Sequence, residues 1–120
     1  MKEDNIVKKL AKVDFHIHSI ASVKDMDKVK FNTIDNIQIL VDKLIENGIN
    51  MAAITDHNAF DIDIYSKFKS FEGEKLNKVL PGIEFDVEIE GQRIHIITIF
   101  NDNDYLKIKE DFDFEIAIDG

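Results

Sequence analysis

The sequence contains no cysteine, one proline and five scattered glycines. Without cysteine there is no disulfide framework, no thiolate metal site and no cysteine nucleophile, and a reducing cytoplasm suits the chain. Any metal must therefore be held by imidazole and carboxylate. The glycines form no phosphate-cradling loop, and Ser19 lacks the strand-to-helix elbow of a serine nucleophile. No apolar run approaches the roughly 18 residues of a membrane span, and the opening residues lack the apolar centre of a signal peptide. The expected location is cytoplasmic, with no membrane partner. Basic residues are also short: 15 Lys and Arg face 24 Asp and Glu, a formal charge of −9. That balance argues against a broad nucleic-acid surface, so an anionic substrate needs local cations, which bound divalent metals would supply.

What is present is a globular composition, 44% hydrophobic and 32% charged. Residues 1–120 read as one domain with enough apolar side chains for a core. Residues 1–11 are polar, a frayed lead-in or short helical turn. A strand follows at about Lys12–Ile17, then a loop through Ile20–Asp27 with neither helical nor strand period. Ile34, Ile37, Val41, Leu44 and Ile45 recur at helical spacing, with Asn32 or Thr33 as cap and Gly48 as terminator. Met51–Thr55 is a short apolar run that ends in the polar Asp56-His57-Asn58, the pattern of a buried parallel strand followed by a loop. Strand, helix, strand predicts a right-handed crossover with parallel strands and an α/β fold.

A second helix is expected over Ile62–Phe71, and Val79–Phe85 returns to the sheet. Residues 83–100 read as a β-hairpin turning at Gly91-Gln92. Ile94, Ile96, Thr98 and Phe100 share one face of the return strand, with His95 on the other. Tyr105–Glu110 suits a short helix, and Phe112, Phe114, Ile116 and Ile118 alternate as in a half-buried strand.

The four histidines now gain weight together. On a strand His16 and His18 point the same way, with Cβ atoms about 6–7 Å apart, close enough to lean onto one metal. Taken alone, His-x-His more often means two strand histidines bonded to water. His57 also stands at a strand end, directly after Asp56, and His95 lies on the strand that follows Glu84. Imidazoles with a carboxylate able to bridge two ions suit zinc, manganese or iron. Asp56 is open to three roles: a ligand, a turn former, or a partner orienting an imidazole, of which the last ranks first.

Four strings in order, Asp14-Phe15-His16-Ile17-His18-Ser19, Ile54-Thr55-Asp56-His57-Asn58, Pro81-Gly82-Ile83-Glu84 and Arg93-Ile94-His95-Ile96, resemble the first half of a PHP domain, the polymerase and histidinol phosphatase superfamily. The resemblance covers about residues 12–100. It implies a partial distorted (β/α)7 TIM-like barrel that holds two or three divalent metals and hydrolyses phosphoesters, with His16, His18, His57, Glu84 and His95 in the metal-ligand places. Substrates across that superfamily range from histidinol phosphate to nucleotides and nucleic-acid ends, and the Glu-to-His hairpin is closer to the nucleotide and oligonucleotide branch. Metal-activated water is the implied nucleophile.

The sequence departs from that pattern in two places. The ligand expected five residues after the second histidine falls on Val23, so Asp25 is a candidate substitute, while Lys24 reads first as a solvated loop lysine and second as a contact for substrate phosphate. The later histidine and Asp-x-His ligands have no counterpart, and a full barrel needs roughly 200 residues or more. The expectation is an N-terminal piece of a longer protein, inactive by itself, in one branch preceding an ATPase domain. The competing expectation is a catalytically incomplete metal-binding or interaction module. A half barrel with open strand edges also predicts a homo-oligomer.

Overall fold

The computed structural model describes residues 10–22, 32–108 and 110. Strands β1 (Val13–Ile17) and β2 (Met51–His57) lie parallel, Val13 opposite Met51 and Asp14 opposite Ala52. Their register slips between Asp14 and Ile17, in the segment that carries His16. Such irregularities re-aim side chains at a strand end.

The connection between these strands is a 3₁₀ turn, Ile34–Asn36, running into α1 (Ile37–Glu46). Ile37, Val41 and Leu44 are buried, whereas Ile34 and Ile45 remain exposed. The tighter 3₁₀ turn takes Ile34 off the α-helical stripe, and Ile45 is rotated roughly 100° from Leu44. Neither expected cap bonds the helix start. Thr33 makes no side-chain cap, and the Asn32 amide donates instead to the His18 carbonyl at 2.6 Å. The other end closes at Gly48 (φ +74), where the Gly48 N–H bonds Ile45 O and the Ile49 N–H bonds Leu44 O, both at 2.9 Å. That pair of bonds is the Schellman arrangement, which favours glycine at the left-handed position.

β2 continues through Asp56 and His57, which the sequence pattern places in a loop. Both side chains are buried, and Ile83 and Glu84 pair with their backbone, so polar residues extend the strand into the site. Helix α2 (Ile62–Lys69) is two residues shorter than its pattern and starts at Asp61, whose carboxylate accepts the Asp63 and Ile64 N–H groups. Ile64, Tyr65 and Phe68 join Ile17, Ile37, Val41, Leu44, Ala52, Leu76 and Val79 in one apolar core between the two helices and the sheet.

Next to β2 lie two successive strands, β3 (Lys78–Val79) beside its start and β4 (Gly82–Ile89) beside its end. Pro81 separates them, having no N–H to give the ladder. Gly82 faces Thr55, and an added Cβ would lie 2.7 Å from Thr55 Cγ2. Glycine therefore lets β4 approach β2 closely enough to pair. β5 (Gln92–Ile99) returns antiparallel to β4. The turn is Glu90-Gly91, one residue earlier than the pattern suggests, because both residues take positive φ (51° and 80°), as a type I′ turn requires.

The order is β1-β2-β4-β5, with β3 beside β2, yet β1 and β5 still come into contact, so the sheet curls into a half-barrel. The architecture is mixed α/β. Facing pairs Glu84 with Ile97 and Asp86 with His95 put those four side chains on one hairpin face, while Phe85, Val87, Ile94 and Ile96 share the other. Ile94 and Ile96 are exposed there. After β5 the Phe100 N–H bonds Pro81 O, and a 3₁₀ turn at Asp102–Asp104 leads into helical residues 105–108, where the short helix is expected. Lys69 ties this segment back, its Nζ meeting Glu72, Asp102 and the Val79 carbonyl. The strand expected over 112–118 lies outside the described residues. Among the described residues no helix is long and apolar enough to cross a membrane.

Candidate metal centre

The carboxyl ends of β1 and β2 and the start of the hairpin meet at one place, around Glu84. Register sets Glu84 directly opposite His57 on the neighbouring parallel strand. Asp86 and His95 face each other one step along the hairpin. Register and alternation thus bring His57 and His95 to Glu84, while His16 arrives on β1 and His18 just past its end at Ile17.

Glu84 Oε1 lies 3.0 Å from His16 Nε2, 2.8 Å from His18 Nε2 and 3.5 Å from His57 Nε2. Its other oxygen, Oε2, lies 3.0 Å from His95 Nδ1. The rings stand edge to face, with centroids 5.0 Å apart for His16 and His18, 4.6 Å for His18 and His57, and 5.3 Å for His57 and His95. The Glu84 side chain is 4% exposed. Burial pushes its carboxyl up, but hydrogen bonds from His18, His95 and His16 and the nearby His57 outweigh that and hold it at about 2. The carboxylate is therefore ionised throughout the physiological range.

Three imidazole nitrogens around one carboxylate oxygen exceed the two lone pairs that oxygen offers. Divalent cations between these atoms would turn the crowding into coordination. Among the described residues two sets of three donors fit that description: His16, His18 and Glu84, and His57, Glu84 and His95, with ligand atoms in each set within 4.8 Å of one another. Nitrogen and oxygen donors of this kind could hold a metal ion. In each set one histidine is open to solvent, His16 and His95, while Glu84 is buried. Among the described residues each set offers three protein donors.

Asp56 belongs to neither set. Alternation points it away from His57, and its carboxylate accepts hydrogen bonds from the Ser19 N–H (2.5 Å) and Ser19 Oγ (2.6 Å). Burial raises its pKa, with the Ser19 bonds acting in the opposite direction. Asp56 thus fixes the chain immediately after His18, holding the ligand loop through its backbone. Ser22 does the same from the other side, accepting the His57 N–H at 2.9 Å. Asp14 accepts the His16 N–H at 3.1 Å. Lys24 and Asp25, the weaker sequence candidates, lie outside the described residues.

Three residues to which the motifs assign no role also join the site. Asn58 takes a left-handed conformation (φ 49°), which asparagine tolerates. Its N–H donates to Glu84 O at 2.9 Å and its Oδ1 accepts the Asp86 N–H at 3.0 Å, clamping β4 on both sides of Phe85. Asp86 places Oδ1 3.7 Å from His95 Nε2, and Arg93 donates to Asp86 Oδ2 at 2.7 Å. Alternation from His95 flags Arg93 in the sequence; Asp86 emerges only once the hairpin register is known. Comparison with known proteins finds no matching family model and no matching curated protein.

Proposed function

We propose that this chain is a PHP-like, metal-dependent phosphoesterase domain whose half-barrel belongs to a distorted (β/α)7 barrel. The observation that carries the reading is the convergence of His16, His18, His57 and His95 on the two oxygens of one buried, ionised glutamate. His16, His18 and Glu84 would hold one divalent ion, and His57, Glu84 and His95 a second. The chemistry such ions supply when bound is activation of water near neutral pH and neutralisation of phosphate charge.

The chain's own residues do the rest. Glu84 provides the negative charge shared by both donor sets, and its burial keeps bulk water off that carboxylate. Asp56 and Ser22 hold the loop after His18 against β2, so the ligands are set before substrate arrives. Exposed His16 and His95 leave the site open on the side a phosphoester would enter. With a chain charge of −9, cations at this opening are what would draw in a phosphate. The absence of cysteine suits a reducing cytoplasm.

Bound metal and hydrolysis of p-nitrophenyl phosphate and bis(p-nitrophenyl) phosphate, with and without Mn²⁺, test this for the 120-residue chain and for the gene product that carries it. Mn²⁺-dependent activity that disappears in His18→Ala is the expected result. Protein that takes up metal but hydrolyses neither ester is instead a binding module, and protein that takes up none ends the reading.

A further inference from the structure

The chain has a single arginine among its 15 basic residues, and it stands beside the histidine cluster. Arg93 and His95 are two residues apart on β5, so they share a face with Cα atoms roughly 6–7 Å apart. Asp86, across the hairpin from His95, joins them: one carboxylate oxygen accepts from Arg93 Nη2 at 2.7 Å and the other lies 3.7 Å from His95 Nε2. The Asp86 side chain is 1% exposed and its backbone is clamped by Asn58, whereas the Arg93 side chain is 63% exposed. A buried, fixed acid thus aims an arginine whose outer N–H groups face solvent beside the donor set of His57, Glu84 and His95. Asp86 belongs to neither donor set.

We propose that Arg93 is a substrate-binding residue whose guanidinium takes a non-bridging oxygen of the substrate's phosphoryl group, with Asp86 as the positioning residue that aims it. The proposal rests on the phosphoesterase reading and adds to it the contact that selects a phosphoryl oxyanion. A guanidinium has five N–H donors in a planar fork that matches two phosphate oxygens, and the bond to Asp86 leaves donors over. Lysine offers only a point charge on a flexible stem. An ordinary surface ion pair contributes little to stability and does not require a buried acid.

Calorimetric titration of orthophosphate into Mn²⁺-loaded protein tests the assignment, with Mn²⁺ uptake and melting temperature measured alongside. Arg93→Gln is expected to weaken phosphate about 10- to 100-fold, the range for a hydrogen bond to a charged group, with Mn²⁺ uptake unchanged. Arg93→Lys keeps the charge without the fork and falls between Arg93→Gln and the wild type. Phenyl phosphate and diphenyl phosphate, titrated in the same way, separate the two sources of this oxyanion. A loss confined to the first assigns a terminal phosphate, and a loss in both assigns phosphoryl groups of either kind.

Wild-type phosphate affinity in folded Arg93→Gln overturns the proposal, as does loss of Mn²⁺ uptake in that variant, which would make the ion pair a support for His95. Should Arg93→Gln unfold, Arg93→Lys decides: folded and binding phosphate as tightly as the wild type, it overturns the assignment. Wild-type protein that takes up Mn²⁺ but no phosphate also overturns it. Wild-type protein that takes up no Mn²⁺ removes the phosphoesterase reading itself, a distinguishable failure.

Discussion

Replacing Glu84 with glutamine tests the centre of the site with a change of one atom. Glutamine has nearly the same shape and imitates a glutamic acid that never ionises. Folding moves the Glu84 carboxyl from its ordinary 4.5 to about 2. That displacement corresponds to about 3 kcal/mol favouring the ionised form. Because the folded value is depressed, this stability is fully present above about pH 4.5 and is lost as pH falls toward 2. Metal-free Glu84→Gln should therefore be about 3 kcal/mol less stable than the wild type at pH 7, a fall of ~10 °C in melting temperature for a chain of this size. The gap should close as the pH approaches 2. Adding Mn²⁺ at 100 times its dissociation constant stabilises a binding protein by about 2.7 kcal/mol. Glu84→Gln leaves two imidazoles in each donor set and should lose that gain at the same concentration. Thermal melts in EDTA and in Mn²⁺, from pH 2 to 7, read both effects. A variant that melts with the wild type in EDTA and gains equally from Mn²⁺ would show that the histidines do not depend on this carboxylate.

Gly82→Ala should destabilise by about 1–3 kcal/mol, the cost of overpacking, and weaken Mn²⁺ uptake. The new Cβ meets Thr55 Cγ2 at 2.7 Å, and Thr55 is fully buried with its hydroxyl donating to Phe15 O, so β4 and Glu84 must shift; denaturant unfolding with unchanged midpoint refutes the steric reading. Asp102 gives a second pH signature, remote from the site. Hydrogen bonds from Lys78 and Lys69 hold its carboxyl at about 2, below the ordinary 3.8, so its contribution is present above about pH 4 and lost toward pH 2. Asp102→Asn should flatten the acid limb of melting temperature against pH, and an unchanged limb would show that the two lysines leave the carboxylate to solvent.

Much of the layout is legible along the chain because hydrophobic period reports which face a residue buries. Val13–Ile17, the helix ending at Gly48, the β2 core and the hairpin all stand where alternation or helical spacing puts them. Boundaries move where polar residues are buried for chemistry. Asp56 and His57 look like a loop because polarity usually means exposure, yet they complete β2 inside the site. Asn32 looks like a helix cap, but its amide serves the His18 carbonyl. Ile34 and Ile45 match the stripe in spacing, and local geometry turns them out of it.

For the site itself, the absence of cysteine leaves only imidazole and carboxylate for a metal, and the motif strings that resemble a PHP domain name His16, His18, His57, Glu84 and His95 as candidates among them. That list of candidates is what the sequence alone determined. Only tertiary structure decides that the five meet, because their meeting depends on the parallel register of β2 with β4 and the antiparallel register of β4 with β5. A one-residue slip in either would send Glu84 or His95 to the opposite face. The same registers place Asp86 between His95 and Arg93, and the tertiary fold sets the Asp56 carboxylate on Ser19, next to His18. Local pattern specifies which side chains are available; long-range strand pairing specifies which of them share a space.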